Sequence, residues 1–250
     1  MIILKTPDEI QSLTRTCRIV AETLGYLKMK IEPGIVTRTL DELAEDYIRQ
    51  HDATPAFKGY RGYPASVCAS VNNEVIHGIP SSDRVVKEGD ILSLDLGVYK
   101  DGFYGDAAYT YPVGKISEHA EVLLTTTKES LYAGIENAFS DRRLTDISHA
   151  IQQHVESKGF SVVRAFVGHG IGRDLHEDPQ VPNFGRPGHG PKLKSGMALA
   201  IEPMVNAGGH EVFMLDDGWT AVTMDGSLSA HFEHTVLITA DEPEILTKIA

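Results

Sequence analysis

The chain has 250 residues, 42% of them hydrophobic, with 35 acidic against 23 basic side chains and a formal net charge of -12. That length and apolar content can bury a substantial core, which excludes a disordered or fibrous protein, and the acidic balance argues against nucleic acid, whose phosphates need a basic face. Cys17 and Cys68 form no CxxC pair and are too few for a disulfide framework, the start lacks a basic-then-apolar leader, and no apolar run approaches the roughly 20 residues of a membrane helix, so a cytoplasmic protein without a membrane partner is expected.

In chain order, Thr6-Pro7-Asp8-Glu9 joins a capping hydroxyl, a proline at the first helical position and a glutamate three residues after the cap. This predicts a helix to Lys28, with Ile10, Leu13, Cys17, Val20, Leu24 and Leu27 on one buried face. Glu32-Pro33-Gly34 breaks it, and Thr37 is read as the cap of a second helix through Leu40, Leu43, Tyr47 and Ile48. From Ser66 the pattern turns to β. Ser66 to Val71 and Ile91 to Leu96 are strand-like, and Lys100-Asp101-Gly102 is a hairpin turn into a strand from Phe103 to Tyr111.

The second half repeats this order, with helices from Ser117 to Phe139 and Thr145 to Lys158. Strands follow at Phe160 to Ala165, Met197 to Val205, Val212 to Leu215 and His231 to Thr239. Pro179 to Pro191 reads as a long irregular loop. Two helices followed by strands thus occur twice without a residue repeat, and no flexible linker divides them. One α+β domain over 1–250 is expected, its pseudo-repeats spanning roughly 6–112 and 115–240.

Several acidic groups interrupt apolar strands. Asp95 lies late in one strand and Asp106 on the next, across the hairpin, so their carboxylates meet; two like charges that close need a cation or a proton between them. The alternative is a pair of ordinary turn aspartates facing water. Glu202 interrupts Met197 to Ile201 before Pro203, and Glu233 precedes His234 to Ile238; a buried, unpaired carboxylate costs several kcal/mol or more. His169 sits among glycines in Gly168-His169-Gly170-Ile171-Gly172, where the backbone can approach a ligand and the imidazole can project, and His176 follows in the same loop region. Four carboxylates and one imidazole, with no thiolate, suit two divalent ions such as Mn, Fe, Co or Zn acting on an amide or phosphate.

The segments Tyr60-Arg61-Gly62-Tyr63-Pro64, Asn73 to Pro80, Asp95, Gly102 to Asp106, Gly168 to Gly172, Leu175-His176-Glu177, Ile201 to Met204, Asp217 to Thr220 and Glu233-His234-Thr235, in this order and spacing, resemble the type I methionine aminopeptidases over essentially the whole chain. The resemblance implies the pita-bread fold, in which two pseudo-symmetric halves with antiparallel sheet covered by helices enclose a dimetal site. It implies Asp95, Asp106, His169, Glu202 and Glu233 as ligands of two divalent ions, with Asp106 and Glu233 shared between them. A bridging hydroxide would attack the scissile carbonyl, with His176 stabilising the oxyanion, Glu202 moving the proton and His77 contacting substrate near the scissile nitrogen. Tyr60, Tyr63, Cys68, Leu175, Met204 and Trp219 would line the methionine pocket. The implied partners are peptides and nascent chains, met transiently at the ribosome by a monomer.

Leu175, Phe57 and Arg61 differ from what the family commonly carries near the pocket. Gly97 and Ala107-Ala108 replace residues that often bear hydroxyl or amide groups, and fewer hydrogen bonds there would weaken metal affinity or change the preferred ion. Two rivals share the ligands or the fold: a dimetal peptidase acting beside proline, disfavoured by Met204 and by Asp217-Gly218-Trp219, and a non-catalytic binding protein, disfavoured because all five ligands and both histidines are present.

Overall fold

The computed structural model describes residues 1–248. Its first half comprises α1 (Pro7–Lys28), α2 (Thr37–Gln50), β1 (Thr54–Pro55), β2 (Cys68–Val71), β3 (Glu74–Ile76), β4 (Ile91–Lys100) and β5 (Phe103–Pro112). The second comprises α3 (Glu118–Ile135), α4 (Leu144–Ser157) and ten short strands: β6 (Ser161–Val162), β7 (Gly168–Gly170), β8 (Glu177–Val181), β9 (Ala198–Ile201), β10 (Met204–Asn206), β11 (Val212–Met214), β12 (Ala221–Thr223), β13 (Ser229–His231), β14 (His234–Leu237) and β15 (Glu244–Ile245). Every strand pairing among the described residues is antiparallel.

The start of α1 follows its sequence closely: Thr6 N–H donates to Glu9 Oε2 at 2.8 Å while Glu9 N–H donates to Thr6 Oγ1, closing a capping box. The second helix differs. Val36 is its N-cap, and Thr37 turns its hydroxyl to Ser81 instead, accepting from Ser81 N–H at 2.9 Å. That bond ties the helix start to the loop after β3 and leaves no hydroxyl for capping.

β4 and β5 form a ten-residue ladder from Ile91↔Pro112 to Lys100↔Phe103. Asp101 and Gly102 at its tip both have positive φ, the backbone that a two-residue hairpin loop requires. Helix α1 crosses this hairpin at Gly105, where an added Cβ would lie 2.9 Å from Cys17 Sγ and 3.1 Å from its backbone N; only a glycine permits that approach.

Each half has its own core. Val20, Leu24, Leu40 and Ile48 of α1 and α2 pack on Leu92, Leu94 and Leu96 of β4, and Leu123, Leu131, Ile147 and Ile151 of α3 and α4 pack on Leu199 and Val236. A third cluster, with Leu13, Phe57, Tyr63, Cys68, Leu175 and Ala198, joins residues of both halves.

Several expected strands are shorter or broken. Met197 to Val205 divides into β9 and β10 at Glu202-Pro203, since proline has no N–H for the ladder. His231 to Thr239 is likewise interrupted: between β13 and β14, Glu233 N–H donates to Ala108 O at 2.9 Å, away from its own sheet. Phe160 to Ala165 reduces to the two residues of β6. The loop expected from Pro179 to Pro191 begins later, because residues 179–181 complete β8 at the edge of the sheet ordered β15-β14-β9-β7-β8, a position that tolerates Pro179.

Candidate metal centre

The hairpin register places Asp95 opposite Ala108 and Asp106 opposite Gly97, so the two aspartates are diagonal neighbours on one face of the β4–β5 pair. Cys68 of β2 lies directly across from Asp95 on the other side. In the second half, His234 of β14 faces Ile201 of β9, so Glu233 and Glu202, one residue beyond each ladder end, leave the sheet side by side. His169 occupies the middle of β7, between β8 and β9.

These elements converge. Ligand atoms of Asp106, His169 and Glu233 lie within 4.8 Å of one another, and His169 Nε2 is 3.6 Å from Glu202 Oε1. His169 Nδ1 faces Gly170 O at 2.9 Å; a carbonyl only accepts, so Nδ1 carries the proton and the Nε2 lone pair points into the cluster.

Burial, and then mutual repulsion, push the carboxyls of Asp106 and Glu233 far above the ordinary carboxylate range, and Glu202 rises for the same two reasons. Asp95 is raised by burial. Asp95 Oδ1, Asp106 Oδ1 and Glu233 Oε1 are buried without a hydrogen-bond partner. Four convergent carboxyls, three with orphaned oxygens, beside an imidazole lone pair fit divalent cations: positive charge would answer the repulsion and fill the vacant acceptor positions together.

One cavity opens on this cluster. Its wall includes all five of these residues together with Tyr60, Tyr63, Cys68, His77, Leu175, His176 and Trp219. Tyr63 is buried, its hydroxyl donating to Gly78 O at 3.0 Å and its ring edge-on to Trp219 at 5.1 Å between centroids. His77 sits at φ +59, a left-handed backbone unusual for a side chain other than glycine, with its ring edge-on to Trp219 and Phe166. Burial lowers its pKa to about 4, so it is neutral near pH 7.

His176 lies on the cavity rim, 4.2 Å from His169 between centroids. Its Nδ1 is 2.9 Å from Tyr60 Oη. Burial, followed by the Arg61 charge, lowers its pKa, and in the neutral ring a proton donated by the Tyr60 hydroxyl to Nδ1 leaves Nε2–H as the free donor. The loop carrying His176 is anchored from below: Lys5 Nζ meets Glu177 Oε2 at 2.5 Å with both side chains buried, and Arg173 N–H donates to Glu177 Oε1 at 2.8 Å.

Met204 departs from the expected arrangement. It is fully buried in a small cluster with Val75, Ile76, Val163 and Ala221, and the cavity wall does not include it. Pro203 ends the strand at the cavity, and pairing of β10 with β13 draws the next residue into the interior. The cavity also takes in Phe57 and Arg61. A Cβ on Gly97 would lie 2.7 Å from Phe57 Cε1 and 3.0 Å from Ala56 Cβ, so the bare backbone there seats the Phe57 ring. Ala107 belongs to the core beneath α1 and α2, on the face of β5 away from the cluster. A residue that sequence reasoning passed over is His231, buried, with Nε2 3.7 Å from Glu202 Oε2. Its two-residue spacing from Glu233 was the available signal.

The sequence matches the model of metallopeptidase family M24 over residues 11–240. It is 61% identical to a methionine aminopeptidase of Clostridium perfringens, with 100% of each chain covered. The crystal structure of methionine aminopeptidase from Thermotoga maritima superposes with a TM-score of 0.98 at 50% identity, covering 99% of this chain and 100% of that one. An Xaa-Pro dipeptidase from Bacillus anthracis, at 22% identity and a TM-score of 0.80 over 98% of this chain and 62% of its own, shares the fold.

Proposed function

The chain belongs to metallopeptidase family M24 and has the pita-bread fold of its methionine aminopeptidase relatives, and on that premise we propose that Asp95, Asp106, His169, Glu202 and Glu233 form the centre at which it hydrolyses peptides. It is a hydrolase that removes the N-terminal methionine from peptides. The observation that carries the assignment of the centre is the meeting of four buried carboxyls, three with unpartnered oxygens, around the free Nε2 of His169.

In this reading Asp95, Asp106, His169, Glu202 and Glu233 would hold two divalent ions. When bound, the ions supply Lewis acidity to the scissile carbonyl and bring the pKa of a water toward neutrality. The chain's own groups do the rest. Tyr63, Cys68, Leu175 and Trp219 take the methionine side chain, whose polarizable thioether suits aromatic and sulfur surroundings. His176 offers Nε2–H to the carbonyl oxygen as negative charge develops on it. Glu202, which lines the cavity, would take a proton on its carboxylate and pass it to the leaving amine. His77, neutral and held by its two aromatic neighbours, faces the scissile nitrogen.

The two halves form one catalytic domain across 1–250, with pseudo-repeats near 6–112 and 115–240; the separate cores and the shared third cluster support that division. The buried free thiols Cys17 and Cys68 fit a reducing cytoplasm, where nascent chains would be met by a monomer. Release of methionine from Met-Ala-Ser by metal-free protein supplied in turn with Mn, Fe, Co and Zn tests the function and the ion together. Cleavage of Ala-Pro substrates with no methionine release would replace it with the proline-directed activity.

A further inference from the structure

His231 ends β13 with its side chain 2% exposed, and its Nε2 has no hydrogen-bond partner. That nitrogen points at Glu202, 3.7 Å from Oε2, while His169 Nε2 stands 3.6 Å from Oε1. The Glu202 carboxylate is therefore flanked by an imidazole at each oxygen.

The two imidazoles present different atoms to it. His169 gives its Nδ1 proton to Gly170 O and turns a lone pair toward Oε1, an approach that a shared cation would make favourable. His231 Nε2 faces the other oxygen; with a cation held by the cluster Glu202 would be ionised and its oxygen acceptor-only, and the tautomer it then favours carries the proton on Nε2. At 3.7 Å the contact lies just beyond the N–H···O range, and a closure of under about 1 Å would complete it.

The backbone of His231 is fixed by the strands that carry the aspartates. His231 N–H donates to Thr110 Oγ1 at 2.9 Å, and Thr110 Oγ1 donates to His231 O at 2.8 Å. The single Thr110 proton is thereby used, so Ser93 Oγ, 2.8 Å away, is the donor to Thr110. Ser93 and Thr110 lie two residues from Asp95 and four from Asp106 on β4 and β5, so this hydroxyl chain fastens His231 to the hairpin that bears both aspartates.

We propose that His231 is a positioning residue for Glu202: its Nε2–H holds one carboxylate oxygen so that the other faces the cation position shared with His169. The proposal rests on the assignment of the metal centre. It makes His231 a donor to Glu202 and not itself a ligand.

The test is calorimetric titration of metal-free wild type, His231→Leu and His231→Gln with Mn, with melting temperatures of the metal-free proteins and kcat and KM on Met-Ala-Ser. The leucine variant should bind the tighter ion about 10- to 100-fold more weakly at unchanged stoichiometry and lose kcat with little change in KM, the range typical when the partner of a metal ligand is removed. Glutamine, which keeps an N–H donor, should restore most of both. If the leucine variant does not fold, His231→Met fills the space without a donor and takes its place. Affinity and kcat equal to wild type in the donor-less variant would overturn the proposal alone. Loss of one whole equivalent of metal, unrescued by glutamine, would also overturn it by making His231 a ligand. Wild type that binds no Mn would remove the metal-centre assignment and this inference with it.

Discussion

At the scale of the residue, the cluster sets charge repulsion against coordination. Asp106 is 4% exposed, and its carboxyl is raised first by burial and then by the charges of Asp95 and Glu202. Asp106→Asn keeps the shape and removes one negative oxygen, so the consequences separate. Methionine release should fall by more than about a hundred-fold, beyond the upper end of what altering a ligand's partner costs. The metal-free protein should melt at the same temperature or higher, because a buried like-charge contact has been relieved. Release from Met-Ala-Ser and a thermal melt without metal check both. A variant with near-normal turnover would contradict the role assigned to Asp106. Asp95, Asp106, His169, Glu202 and Glu233 were legible in the sequence because each interrupts an apolar or glycine-rich strand with a group that cannot be buried alone. His231 was not, since a histidine in a strand is ordinarily a satisfied side chain. Its significance lies in an unpartnered nitrogen that only coordinates reveal. Met204 differs in the opposite direction: the family resemblance implied a place in the methionine pocket, whereas the register of β10 turns it inward, away from the cavity wall.

At the scale of the element, the start of α1 and the tip of the β4–β5 hairpin were readable in the sequence, because a capping box and a two-residue turn are local devices, whereas β4 runs past the expected Leu96 to Lys100. The short strands were not. β3 and β12 have three residues each, too few for a period to show, and β3 finds its ladder partner in β12, far along the chain. The breaks at Glu202 and Glu233 arise from a proline and from a bond to β5, neither of which is a periodic signal. Gly97 shows how such nonlocal packing changes the meaning of a residue. Read in the sequence it is a lost hydrogen-bonding group; in the fold it is the floor under Phe57. Gly97→Thr should therefore destabilise by about 1–3 kcal/mol through overpacking, with the ring forced into the cavity or the strand forced away. Adding Phe57→Ala should recover part of that loss, giving a coupling between the two sites in a double-mutant cycle. Urea midpoints measure it, and strictly additive single effects would show that the ring and the strand do not press on each other.

At the scale of the whole molecule, the two halves are joined across a site whose charges oppose the fold until they are neutralised, and this determines how stability should vary with pH. Asp106, Glu202 and Glu233 have folded pKa values well above those of an open chain, and Asp95 is raised as well. The folded state then binds more protons than the unfolded state above the ordinary carboxylate range, so stability falls as pH rises through that interval. The buried histidines act in the reverse sense. Burial lowers His77, His169 and His234 to about 4 and His231 to about 3, so they favour folding increasingly as pH rises toward their ordinary value near 6.5, and contribute no further slope above it. The two effects oppose each other in mildly acidic solution and separate just above neutrality, where the histidine contribution is complete and the thiols have not begun to ionise. Metal-free protein should consequently lose melting temperature between about pH 7 and about pH 8, the interval entered by Asp95 at about 7 and lying below the ordinary thiol range at about 8.5, from which the raised Cys17 and Cys68 thiols would add a loss of their own. Protein saturated with Mn or Co should hold nearly constant across that interval, since a cation replaces the protons and adds its own binding free energy to the folded state. Melting curves of chelated and metal-loaded samples at the two pH values decide it. A metal-free protein as stable at the higher value as at the lower would mean that the four carboxyls do not meet as described.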